Sequence, residues 1–177
     1  MKKFLMVIFC LTMALTLVAC GGAKEKEYKF GMGVVTSLES SKTGTAQVDA
    51  TVAAVVTDAE GKIVACRIDV AQNKTAIAEG VATVVTEFKT KMEKGDAYGM
   101  AGKVDNDGNG VMKEWYDQVY AFEAFVIGKT GAEVAALETE LVNGHYISTN
   151  EDLLAAGCTI QITAIKVVVA EAAANAR

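Results

Sequence analysis

The feature that most restricts this chain is a two-residue alternation in its first half. From Thr45 to Thr57, Val48, Ala50, Val52, Ala54 and Val56 fall on one side of an extended chain, with Asp49 and Thr51 on the other. Asp58-Ala59-Glu60-Gly61 is a turn signal. The alternation then resumes from Lys62 to Val70, with Val64, Cys66, Ile68 and Val70 set against Lys62, Arg67 and Asp69. Period two is the strand period, and two such runs about a short Gly-containing turn read as a hairpin. Tyr28 to Thr36 alternates too, through Tyr28, Phe30, Met32 and Val34, which makes a three-strand antiparallel meander.

Further along, the period changes. Ile77, Val81, Val84, Val85, Phe88 and Met92 recur at helical spacing, with Gly95 as a C-terminal stop. Lys113 to Ile127 places Trp115, Val119, Phe122 and Val126 along one helical face. Thr130 and Glu133 make a capping box for a third helix over Ala132 to Leu141, broken by Asn143-Gly144. Thr149 or Asn150 caps a helical turn through Leu154, Thr159 to Ile162 is a brief strand or a helix entry, and Ala164 to Ala174 is a last helix. Strands first and helices after, without βαβ alternation, define an α+β class: an antiparallel meander or hairpin followed by several packed helices. Proline is absent, where ordinary usage near 5% would give about nine, so turns fall to Gly, Asn and Asp.

The start of the chain has a different character. Lys2 and Lys3 precede an uncharged run from Phe4 to Val18, FLMVIFCLTMALTLV. That is shorter than the roughly twenty residues a membrane span needs, and it fits the apolar region of a secretory signal. The run closes on Leu17-Val18-Ala19-Cys20, followed by Gly21 and Gly22. This resembles the lipobox of bacterial lipoproteins, in which the Cys thiol receives a diacylglycerol and becomes the new N-terminus. The resemblance implies a signal over 1–19, a flexible tether over 20–27, a single domain over 28–177, lipidation at Cys20, and a lipid-anchored place on the extracytoplasmic face of the cell membrane. At least two acyl chains would hold the protein stably, where one would hold it marginally.

Removing residues 1–19 leaves 158 residues, enough to bury a core. Lys2 and Lys3 leave with the signal, so fifteen basic residues face 22 acidic ones, a formal charge of −7. No basic stripe remains, which argues against nucleic acid as a partner. Cys66 and Cys158 are then the remaining thiols. Outside the cytoplasm they can form a disulfide, or they can serve as two small buried apolar groups.

Two stretches could carry chemistry. Gly157-Cys158-Thr159 runs toward the last helix, and a helix N-terminus with a hydroxyl can hold a phosphate. The turn resembles the Asp-x-x-Ser/Thr-Gly-Ala-Thr-x-Ser/Thr pattern of FMN-binding domains in bacterial electron-transport lipoproteins and sodium-pumping quinone reductases. Gly44 to Ile63 is similar to that family's strand-and-turn hairpin. The resemblance implies FMN esterified through its phosphate to Thr159, with Gly157 and Cys158 beside it, and an electron-transfer role. The pattern departs at Ala156, at Cys158, at Gln161 and in the spacing of Asp152. The other reading of Thr159 is a helix cap or strand residue in a relative that lacks the cofactor. Tyr98-Gly99-Met100 and Lys113 to Gln118 are also similar to a group of uncharacterised lipoproteins of anaerobic Gram-positive bacteria, a resemblance that implies no activity.

The second stretch, Asp105-Asn106-Asp107-Gly108-Asn109-Gly110, fits the first six positions of an EF-hand loop, with Asp105, Asp107 and Asn109 as oxygen ligands for weak calcium binding. Tyr116 stands where the loop's twelfth ligand should be, and the other reading is a solvated turn. Trp115, Tyr116, Tyr120, Phe122 and Phe125 crowd one helix, as core or as groove lining. Lys89, Lys91 and Lys94 read as a solvated face or a phosphate clamp, and His145 as a surface loop residue. No hydrolase, Walker, zinc-protease or Rossmann motif occurs. The expectation is therefore a lipid-anchored, non-enzymatic binding or envelope module with an unidentified protein or small-molecule partner. The alternatives are a flavin-bearing electron carrier and a calcium-dependent module.

Overall fold

Four antiparallel strands in the order β1-β2-β3-β4 carry the fold: β1 Lys29–Ser37, β2 Thr45–Thr57, β3 Ile63–Ala78 and β4 Val81–Ala82. The helices follow in sequence: α1 Lys91–Lys94, a 3-10 turn at Gly95–Tyr98, α2 Trp115–Val126, α3 Gly131–Ala135, α4 Glu151–Ala155 and α5 Thr163–Ala174. A second hairpin, β5 Thr139–Val142 with β6 His145–Ser148, lies between α3 and α4. The α+β class read from the sequence is the class observed. This computed structural model describes residues 26–83, 85, 88–106, 108 and 110–177. Cys20 and the expected signal over residues 1–19 lie outside the described residues, as do Asp107 and Asn109.

The meander registers Lys29 with Thr57 through Ser37 with Asp49, and Thr45 with Ala76 through Thr57 with Ile63. The turn between β2 and β3 is built by Asp58, whose Oδ1 accepts from the N–H groups of Glu60 (3.1 Å) and Lys62 (2.8 Å). Gly61 supplies the positive φ of 76° there. β3 runs on well past Val70. The expected helix over Ile77 to Met92 is replaced by strand at both Ile77 and Val81, joined by a two-residue turn at Glu79 and Gly80. Both turn residues have positive φ (52° and 82°), as the tight hairpin turn requires. Among the described residues of that stretch, helix is left only at Lys91–Lys94, capped by Thr90 with Glu93, and Val84 lies outside the described residues.

The third expected helix is also corrected. Its capping box at Thr130 and Glu133 is present, but the helix stops at Ala135, and residues 139–142 pair with 145–148. Asn143 and Gly144 (φ 49° and 85°) turn the second hairpin. They connect two strands where the reading had a helix break, since Asn-Gly suits a two-residue hairpin. Thr159 to Ile162 is the irregular entry to α5.

The core lies on one face of the sheet. Ala53, Val55, Cys66, Ile68 and Val70 point into it, beneath Ile165, Val168, Val169 and Ala172 of α5 and Val119, Phe122 and Val126 of α2. Each buried Val, Ile or Phe contributes roughly 1.5–3 kcal/mol. Gly31 and Gly33 let α5 lie directly on β1. A Cβ on Gly31 would stand 1.9 Å from the carbonyl O of Ala172, and one on Gly33 2.5 Å from that of Val168. Beyond α5, the Phe30 and Arg177 backbones exchange hydrogen bonds (3.4 and 3.2 Å). Among the described residues no helix is long and apolar enough to cross a membrane.

Candidate functional site

The turn before α5 is held from three sides. Gln118 lies on the inner face of α2 and is fully buried. Its Oε1 accepts from the Thr159 N–H (2.9 Å) and from Thr159 Oγ1 (3.2 Å), while its Nε2 donates to the Lys113 carbonyl (2.9 Å). Asn106, also buried, donates from Nδ2 to the Thr159 carbonyl (2.8 Å). Asn143 in turn donates to the Asn106 carbonyl (3.0 Å). The two stretches singled out in the sequence therefore meet, through Asn106 and Thr159. Neither Gln118 nor Asn106 was anticipated as the joint. Gln118 carries a readable sign, a polar residue on the same helical stripe as Trp115 and Phe122.

This geometry tests the flavin resemblance. Thr159 is only 5% exposed, and its hydroxyl is committed to Gln118. Its backbone N–H is also taken, and α5 begins at Thr163, so no helix N-terminus opens at Thr159. Gly157 (φ 90°) is covered by Lys113, whose Nζ donates to the Ala156 carbonyl (2.9 Å). Cys158 is fully buried, its N–H donating to the Leu153 carbonyl. An esterified phosphate needs a hydroxyl at the surface, so these residues do not fit covalent FMN.

The Asp105 loop closes on itself. Asp105 Oδ1 accepts from the Gly110 N–H (3.0 Å), and the backbones of the two residues also bond (3.2 Å). The remaining proposed ligands, Asp107 and Asn109, lie outside the described residues, and among the described residues no group of three or more His, Cys, Asp or Glu side chains converges on a metal position.

Glu114 has a structural role. Its carboxylate caps α2 by accepting from Trp115 (3.0 Å), and reaches back to the N–H groups of Met100 (2.9 Å) and Ala101 (3.1 Å). Burial pushes this carboxyl up, but the backbone donors of Trp115, Ala101, Met100 and Gly99 outweigh it and hold it below its ordinary value. The stretches Tyr98 to Met100 and Lys113 to Gln118 thus join at one carboxylate, with the Tyr98 and Trp115 rings edge to face at 6.4 Å.

Lys91 is not on a solvated face. Its Nζ lies 5.0 Å from the centre of Tyr98 and 5.2 Å from that of Trp115. Burial lowers its pKa, against the pull of Asp49 and Asp69. Asp69 Oδ1 also accepts from the Met92 N–H (3.2 Å), so this cluster pins α1 to β3. Trp115 and Phe122 are core, Tyr116 and Phe125 are half-buried against it, and Tyr120 is exposed. His145 is exposed as the first residue of β6, not in a loop.

The cleft of about 420 Å³ between β3 and α2 is lined by Arg67, Tyr120 and Glu123, with Cys66 at its base. Glu123 is 4% exposed; its Oε1 accepts from the Ile68 N–H on the free edge of β3 (2.8 Å), and its Oε2 pairs with Arg67. Burial raises the Glu123 pKa over the opposing effects of Ile68 and Arg67. Arg67 also stacks on Tyr120 at 5.5 Å. The guanidinium is thereby committed to its own carboxylate. Cys66 and Cys158 are free thiols, both buried; no disulfide joins them.

What these elements define is a class: an α+β domain whose buried Glu114, Gln118 and Glu123 close its own edges and turns. Compared with known proteins, the chain matches no family, no curated protein and no solved structure.

Proposed function

We propose that this chain is an exported lipoprotein, anchored through Cys20 to the outer side of the cytoplasmic membrane, and that it works there as a non-enzymatic binding or envelope module. The observation that carries the reading is the Leu17-Val18-Ala19-Cys20 box at the end of an uncharged run behind Lys2 and Lys3. The domain supports it in a modest way. Glu114, Gln118, Glu123 and Lys91 are each engaged in capping, edge closure or packing, as suits a module that acts through its surface. Labelled palmitate should enter the protein, and Cys20→Ser should abolish that incorporation and change how the chain fractionates. A parent chain that takes up no palmitate, or a Cys20→Ser chain that fractionates like the parent, overturns the anchor.

A further inference from the structure

Antiparallel sheets covered on one face commonly turn polar residues outward on the other. Here β1 and β2 depart from that pattern, with buried polar residues beside the core Ala53 and Val55 on the inner face and apolar residues on the outer one. The covered face of β1 and β2 includes Gly31, Gly33, Gln47, Thr51 and Thr57, all buried. The outer face carries Phe30, Met32 and Val34 from β1, 56%, 52% and 51% exposed, registered beside Val56, Ala54 and Val52 of β2. Tyr28 and Val48 extend it at 53% and 42%. On β1 and β2 this surface has no ionisable side chain. Scattered exposed apolar residues are ordinary, but a contiguous patch marks a contact surface.

The anchor reading supplies the occupant. Eight chain steps separate Cys20 from Tyr28, and fully extended they reach about 28 Å. β1 itself, with nine residues, is about 30 Å long. Lipid attached at Cys20 therefore keeps the strand that carries Phe30, Met32 and Val34 within one strand length of the bilayer, on a tether long enough for the sheet to lie against it. Tyr28 and Phe30 stand at the tethered end, and Tyr is enriched at the membrane–water interface. Three carboxylates, Glu27, Asp58 and Glu60, outnumber Lys26 around that same end, so the attraction is apolar and does not depend on anionic lipid.

We propose that the outer face of β1 and β2 rests on the interfacial layer of the bilayer to which the chain is anchored. The proposal depends on the anchor, and the experiment separates the two. The acylated full chain, its lipid confirmed by mass, would be placed in phosphatidylcholine vesicles with nitroxide-bearing acyl chains. A fluorophore is attached at Met32→Cys, with Val34→Cys as a second position and Glu140→Cys, in the β5–β6 hairpin, as control. The buried Cys66 and Cys158 should take no label. The expected result is quenching several-fold stronger at 32 and 34 than at 140. Equal quenching at all three positions in acylated protein overturns the proposal and leaves the anchor standing. Protein without acyl chains overturns both. Shielding at 32 and 34 that appears only as the protein-to-lipid ratio rises assigns the face to a second copy and overturns it as well.

Discussion

Glu123 shows how much one carboxylate can carry in this domain. It satisfies a backbone N–H on the open edge of β3 and neutralises Arg67 while buried. Glu123→Ala leaves the Ile68 N–H without its acceptor and should cost about 1–3 kcal/mol, whereas Glu123→Gln keeps an acceptor and should cost less; urea unfolding of the two variants checks the order. Glu114 and Glu123 respond to pH in opposite directions. Held below its ordinary value of 4.5, Glu114 contributes stability at higher pH that is lost as pH falls through its folded value. Held above it, Glu123 favours the fold when protonated, and that contribution disappears as pH rises through its raised value. Glu114→Gln should therefore flatten the acid side of the stability profile, measured as the urea midpoint through the range below about pH 4.5. The thiols give a separate check. Burial, then the Glu123 carboxylate, pushes Cys66 up to about 12, and burial does the same to Cys158. Both should ignore a thiol reagent at neutral pH in the folded protein and react once it is unfolded.

At the scale of elements, the contact of α5 with β1 is set by two residues that have no side chain. Gly31→Ala forces a methyl onto the Ala172 carbonyl, and overpacking of this kind costs on the order of 3 kcal/mol; thermal melting should show a large drop, and Gly33→Ala a similar one. The strand alternation was readable because period two survives whichever face is buried. Which face is buried was not readable, because Gln47, Thr51 and Thr57 look like solvent residues and yet are buried. The helix expected through Ile77 and Val81 failed for a physical reason: apolar residues three and four apart also occur across a tight hairpin, and Glu79-Gly80 gives a weak turn signal. Asn143-Gly144 is the opposite case, a strong hairpin signal that at the end of a helical pattern also suits a helix stop. At the candidate site, Thr159 and the Asp105 loop stood out in the sequence, but their joint through Gln118 and Asn106 is a contact between distant segments that no local pattern records.

The whole molecule is a sheet with one packed face and, over β1 and β2, a bare apolar outer face flanked by Arg67 and Asp69 of β3, and the two faces should separate under mutation. Met32→Thr lies on the half-exposed outer side and should leave the unfolding free energy within about 0.5 kcal/mol, in contrast to Gly31→Ala beside it in sequence; denaturant titration of both variants tests that contrast. Stability belongs to the inner face, and surface behaviour can be altered without it. One further consequence follows from Phe30 meeting Arg177 and from α5 lying across β1. If the chain leaves the cell as a thread, leading end first, its earliest strand emerges long before the helix that must roof it. Assembly then waits until the trailing segment has crossed, and in that interval the waiting strand is exposed on both sides.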